Sequence, residues 1–127
     1  MVIGEFSEIT GISAYTLRYY EKKGLIHVKR DQAGRRNYSE DDVEWVKFIK
    51  RLKDTGMLLR DIRRYSDLRY EGDGTMKERM DLLIRHRESV LEEQKRWKEY
   101  LQNLDDKIAV YQSRIERNKY FPKGRTI

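Results

Sequence analysis

The sequence predicts a mainly α protein: a winged helix-turn-helix head with a small two-stranded wing, followed by one long helix. Three observations lead there. Two short apolar-patterned segments flank Gly11, the arrangement of a helix-turn-helix. Turn residues at positions 31–34 separate two short basic runs, as in a small ribbon. From position 76 to position 115 apolar residues recur at alternating spacings of four and three, the mark of a coiled-coil helix.

Taken in order, Ile3, Phe6 and Ile9 are spaced to share one face of a first helix, and Gly11 supplies the turn. A second short helix carries Tyr15, Thr16, Leu17, Arg18, Tyr19 and Tyr20 and is closed by Gly24. Such a helix can enter the major groove of B-DNA, where arginine bonds guanine bidentately and tyrosine hydroxyls reach phosphates. The plainer alternative has the tyrosines packing on the first helix and Arg18 solvated; Leu17 reads as core. Lys29, Arg30, Arg35 and Arg36 gather around the ribbon turn, a composition suited to grasping phosphate. Tyr38 fits both packing beneath the ribbon and phosphate contact. Ser39 with Asp42 forms a helix start, and Val43, Val46, Ile49 and Leu52 mark a third helix that Gly56 ends. Leu58, Leu59, Ile62, Tyr65 and Leu68 mark a fourth, with Arg60 near its start, where it can join exposed amides on a phosphate. Two glycines at positions 72 and 74 form the strongest hinge signal, so the head is placed at residues 1–71.

Thr75 and Glu78 fit a capping box that opens the long helix, placed at residues 75–119. Its seam runs through Met76, Met80, Leu83, Arg87, Val90, Gln94, Trp97, Leu101, Leu104, Ile108, Tyr111 and Ile115. Such a helix is about 60 Å long, and nothing else in the chain is long enough to cover its apolar stripe. A homodimer is therefore expected, with Leu83, Val90, Trp97, Leu101, Leu104, Ile108, Tyr111 and Ile115 at the interface. Arg87 and Gln94 interrupt the seam: either they fix its register, or the seam drifts to Ile84 and Leu91 on an adjoining row. Pro122 ends the helix, and the tail at 120–127 has no pattern and is expected to be disordered.

Composition sets bounds. With 127 residues, 38% apolar and 39% charged, the chain cannot bury a large compact core alone. A formal charge of +6 permits a polyanionic partner, and the excess leans slightly to the first 70 residues, which hold 15 basic and 11 acidic side chains. Absence of cysteine removes disulfides, thiolate metal sites and thiol sensing. His27 and His86 lack ligand spacing, so no metal is expected, and Trp97, Tyr100 and Tyr111 read as packing residues rather than a cofactor site. No nucleophile motif, phosphate loop or catalytic carboxylate pair is present in the sequence, and an enzyme is not expected. No membrane span or secretory signal is visible, which makes a cytoplasmic protein the expectation.

The run Ile3-Gly4-Glu5-Phe6-Ser7, Thr10-Gly11-Ile12-Ser13, Thr16-Leu17-Arg18-Tyr19-Tyr20-Glu21 and Gly24-Leu25-Ile26 resembles the N-terminal signature of MerR-family transcription regulators. Gly34-Arg35-Arg36-Asn37-Tyr38-Ser39 resembles that family's wing, and Asp54-Thr55-Gly56-Met57 its turn between the third and fourth helices. The resemblance implies a regulator that binds double-stranded promoter DNA as a homodimer through an antiparallel stalk. It implies DNA contacts from Tyr15, Thr16, Arg18, Tyr19, Tyr20, Arg35, Arg36, Tyr38 and Arg60. It also implies that the first part of the stalk packs on the partner's DNA-binding head, which favours the drift to Ile84 and Leu91. In the family the dimer sits on an overlong promoter spacer, and its activated form bends and untwists the duplex until RNA polymerase engages both promoter elements. A nonspecific architectural DNA-bending protein is the alternative, and a coiled-coil module that binds protein through its head is a third reading.

The chain departs from sensing relatives. Metal-sensing members carry cysteines around the stalk, and aldehyde- or thiol-stress members of this compact type carry one in the third helix. Here that helix reads Phe48-Ile49-Lys50-Arg51-Leu52. An effector would bind noncovalently, near Tyr65, Tyr70 and the partner's stalk, and no larger C-terminal ligand-binding domain is expected.

Overall fold

The computed structural model describes residues 1–120. Its elements run α1 (Ile3–Thr10), α2 (Ala14–Lys22), β1 (Lys29–Arg30), β2 (Arg36–Asn37), α3 (Glu40–Asp54), α4 (Leu59–Glu71), one 3-10 turn (Asp73–Thr75) and α5 (Met76–Tyr120). The two strands pair antiparallel, Lys29 opposite Asn37 and Arg30 opposite Arg36. The helices and strands are those the sequence predicts; of the expected tail Tyr120 still belongs to α5, and residues 121–127, with the expected stop at Pro122, lie outside the described residues.

Local chemistry explains the element ends. Ser13 caps α2, its hydroxyl accepting from the Thr16 amide at 3.1 Å. Beyond α2, Gly24 adopts φ +74, which lets its amide reach the Glu21 carbonyl at 3.0 Å and the Leu25 amide reach that of Tyr20 at 2.9 Å. These are the paired bonds of a Schellman stop, and the left-handed backbone is why glycine stands there. The same pair recurs after α3, where the Gly56 amide meets the Lys53 carbonyl and the Met57 amide that of Leu52. At the start of α3 the Asp42 carboxylate accepts from the Ser39 amide at 2.9 Å.

Residues Met1–Arg87 form one compact unit and a second begins at Glu88. In the first, Phe6, Leu17, Leu25, Val46, Ile49 and Ile62 are fully buried, with Ile12, Ile26, Trp45 and Leu52 close behind. Each aliphatic side chain of this kind stabilises by roughly 1.5–3 kcal/mol relative to exposure. Ile9, expected on the buried face of α1, is turned outward. Ser66 is buried in α4, and its hydroxyl donates to the Leu25 carbonyl at 2.6 Å, tying α4 to the chain just after α2.

Two expectations about the junction before α5 are corrected. Thr75 does not cap with Glu78: its hydroxyl lies 2.6 Å from the Leu68 carbonyl and 2.8 Å from that of Gly72, and it accepts from Arg79 Nε at 3.1 Å. Glu78 pairs instead with Arg64. The glycine-rich stretch is thus a bonded turn, and Leu82 and Leu83 of α5 pack against the core of the first unit. The reason is that Thr75 is buried, where its hydroxyl needs an acceptor and the end of α4 supplies one.

Replacing Ser66 with alanine orphans the buried Leu25 carbonyl. The expected outcome is a loss of about 1–3 kcal/mol in folding stability, read as a lower midpoint in urea with an unchanged slope.

Candidate nucleic-acid interface

Helix α2 presents two faces because of its spacing. Leu17 and Tyr20 point inward, whereas Tyr15 is 79% exposed and Arg18 stands beside it on the outer face. Thr16 is half-buried and its hydroxyl bonds that of Ser13 at 2.9 Å, so it serves the cap as well as the surface. Arg18 and Tyr15 lie three residues apart and therefore adjoin on the helix surface.

The wing is built around two carboxylates. At its tip Asp31 Oδ1 accepts from the amides of Ala33 and Arg35, both at 2.9 Å, and Arg35 Nε donates to Oδ2 at 3.1 Å. The Arg35 amide is the main cause that holds the Asp31 carboxyl below its usual range. At its base Glu21 of α2 takes both strands at once: Arg36 Nε donates to Oε1 at 2.8 Å, and the Arg30 guanidinium reaches the two oxygens at 3.1 and 3.2 Å. Arg35 remains 71% exposed, while Arg36 is 27% exposed.

Several expected contacts sit elsewhere. Tyr20 is 1% exposed and its ring belongs to the core; burial, aided by the Asp54 charge, pushes its hydroxyl's pKa up. Tyr38 is 2% exposed and stacks on Phe6, with centroids 4.2 Å apart and planes within 9°. It packs beneath the wing, and burial pushes its pKa up against the opposing pull of Arg36. Both corrections have one physical reason: the small head needs large rings to fill it, and the rings at these positions face inward. Tyr19 is half-buried, with Lys53 Nζ 4.8 Å from its ring centroid.

Arg60 projects from the first turn of α4, 82% exposed, beside a helix start that Leu58 leaves without a side-chain cap. The guanidinium of Arg63 covers Gly24 so closely that a Cβ there would lie 3.2 Å from it. Tyr65 stacks on Trp45, which Arg69 covers from 4.4 Å, and Tyr70 stacks on His27 at 3.9 Å, so these aromatics are engaged within the head. His86 Nε2 lies 2.7 Å from the Thr55 hydroxyl. Among the described residues no group of three or more acidic, histidine or cysteine side chains could hold a metal ion.

On α5, Trp97, Leu101, Leu104, Ile108, Tyr111 and Ile115 are each between 46% and 68% exposed, and Val90 is half-buried. Leu83 differs from expectation: it packs on the head's own core, while Ile84 and Leu91 stand exposed at 46% and 45%. No described helix is long and apolar enough to cross a membrane.

A family model described as MerR HTH family regulatory protein matches residues 1–68, and one described as MerR, DNA binding matches residues 43–107. The chain belongs to the MerR family. It is 41% identical over 107 residues to an uncharacterized HTH-type transcriptional regulator of Haemophilus influenzae, covering 84% of this chain and 79% of that one. It is 39% identical over 93 residues to the HTH-type transcriptional regulator AdhR of Bacillus subtilis, covering 72% and 66%. Among solved structures it resembles HiNmlR, a MerR family regulator lacking the sensor domain, bound to promoter DNA: TM-score 0.78, 39% identity, 88% of this chain and 90% of that one. A MerR-family regulator from Listeria monocytogenes superposes with TM-score 0.89 at 31% identity, over 97% and 94%. Members of the MerR family are transcription regulators, not enzymes.

One functional residue in this MerR-family head escaped sequence reasoning: Glu21, whose partners Arg30 and Arg36 were read only as phosphate-grasping cations. The available signal was Glu21 itself, the sole acid within the basic run from Arg18 to Arg30. A carboxyl with a folded-state pKa depressed below its unfolded value stabilises above that unfolded value and ceases to as pH falls through the depressed one. The Asp31 turn should therefore be intact at neutral pH and lost in strong acid. The amide resonance of Arg35 is expected to titrate with a midpoint below that of a free aspartate, and Asp31→Asn to abolish that titration.

Proposed function

We propose that this MerR-family chain is a sequence-specific transcription regulator that binds double-stranded promoter DNA as a homodimer and distorts an overlong promoter spacer. The observation that carries the reading is the outer face of α2, where Tyr15 and Arg18 stand exposed while Glu21 fixes the wing beside them. In this reading α2 enters the major groove with Tyr15, Thr16 and Arg18, and Tyr19 flanks it. Arg35 and Arg36 of the wing and Arg60 at the start of α4 meet phosphates, which fix register without reading sequence. HiNmlR, bound to promoter DNA, supports this assignment.

Dimerisation rests on the exposed apolar row of α5, which water alone covers in a single chain. A second copy, antiparallel, supplies a row of equal length, and the resulting two-fold symmetry suits an inverted-repeat operator. Residues 1–71 then hold DNA and 75–119 dimerise. RNA polymerase is an indirect partner, engaging promoter elements that the bent and untwisted spacer realigns. Bending costs of a few kcal/mol, up to ~10, are within what the phosphate contacts of a dimer offset. The chain has no cysteine, so any signal it receives arrives without thiol chemistry.

Footprinting on the promoter region adjacent to the gene tests the reading, and protection no stronger than on unrelated duplex would instead favour an architectural DNA-bending protein. Arg18→Ala is expected to cost about 1–3 kcal/mol on the protected site and to relax discrimination. Arg35→Ala should weaken all duplexes alike and reduce the salt slope by about 1. In sedimentation, wild type should run as a dimer and a Leu101→Asp, Leu104→Asp double variant as a single chain. A monomeric wild type would refute the dimeric reading.

A further inference from the structure

The outer face of α2 and the wing is cationic, with Arg18, Lys22, Lys29, Arg30, Arg35 and Arg36. Glu21 sits among them and is not a surface ion pair of the ordinary sort. Its side chain is 20% exposed, it binds two guanidinium groups, and those groups come from the directly paired residues of the two strands. The wing has only two paired residues per strand, too little ladder to hold a fixed attitude by itself. The carboxylate thus joins α2 to both strands through one acceptor pair. Its bonds to Arg30 and Arg36 are charge-assisted, the same kind of bond a guanidinium makes to a phosphate oxygen.

We propose that Glu21 is a positioning residue that determines DNA specificity: it withholds Arg30 and Arg36 from indiscriminate phosphate contact and fixes the wing's angle to the reading helix. A duplex reaches the bonded N–H groups only by competing with Glu21, which favours a site whose shape seats the wing with the fork intact, so that Arg36 meets phosphate through the N–H groups that Glu21 leaves over. Generic duplex meets the arginine pair with one of its two charges already balanced by Glu21. The chain gives up overall grip and gains discrimination.

This inference rests on the DNA-binding reading above, and the experiment separates the two. Duplexes selected by wild type from a random-sequence pool are compared with the unselected pool, for wild type, Glu21→Gln and Glu21→Asp, across a salt series. Glu21→Gln removes the charge and frees both arginines. Its affinity for unselected duplex is expected to rise roughly tenfold at low salt, its salt slope to steepen by about 1 to 2 for each head, and its preference for selected duplex to fall roughly tenfold, as when one base-reading contact is lost. Glu21→Asp keeps the charge but withdraws it from the fork, and the preference should fall without the full change in slope. A merely structural role would lower the melting temperature while leaving slope and preference as in wild type, and that result overturns the proposal. Should Glu21→Gln fail to fold, Glu21→Asp decides by the same preference measurement. Wild type that shows no preference overturns the DNA-binding reading and this inference with it, whereas a wild-type preference that Glu21→Gln retains overturns this inference alone.

Discussion

Burial of the inner face of α2 is the constraint on which the rest depends. Leu17 and Tyr20 are sealed against α1 and its neighbours, together with Phe6, Val46, Ile49 and Ile62. Because an α-helix turns 3.6 residues per revolution, fixing those two residues inward leaves Tyr15 and Arg18 no choice but to face out. The Schellman stop at Gly24 then ends the helix where the chain must turn toward the wing, and the Ser66 bond to the Leu25 carbonyl anchors that turn from α4. The outer face of α2 is a by-product of the core.

Electrostatics acts on top of this frame. A head rich in arginine repels itself, and the structure answers with specific carboxylates: Asp31 within the wing turn, Glu21 at its base, Glu78 on Arg64. Exposed pairs of this kind contribute little to stability, with a median of about 0–1 kcal/mol. What they supply is orientation. Glu21 differs from the others in being shared between two arginines, one on each strand, which makes it the mechanical link between α2 and the wing.

Much of this was legible from the residues alone. Helix-period patterning located all five α-helices, and glycine at positions 24 and 56 marked two of the stops, since only glycine takes the left-handed backbone there without strain. The basic residues around the wing were visible as composition. Less legible was which aromatic faces which way. Tyr15, Tyr19, Tyr20 and Tyr38 are chemically alike, yet one is exposed, one half-buried and two are core. A tyrosine is at home in either setting, so the residue type carries no direction. The same holds for Leu83 and Ile84, adjacent leucine-like residues of which one packs on the head and the other stays exposed.

The sequence by itself determined the order and kind of elements, the helix stops, the absence of thiol chemistry and the long apolar repeat, because each depends on local spacing or on residue identity. Only the tertiary structure decided that Thr75 serves α4 rather than capping α5, that Tyr20 and Tyr38 fill the core, and that Glu21 binds Arg30 and Arg36. Those outcomes depend on groups distant along the chain competing for the same space or the same hydrogen bonds, and such competition is settled by packing and not by periodicity.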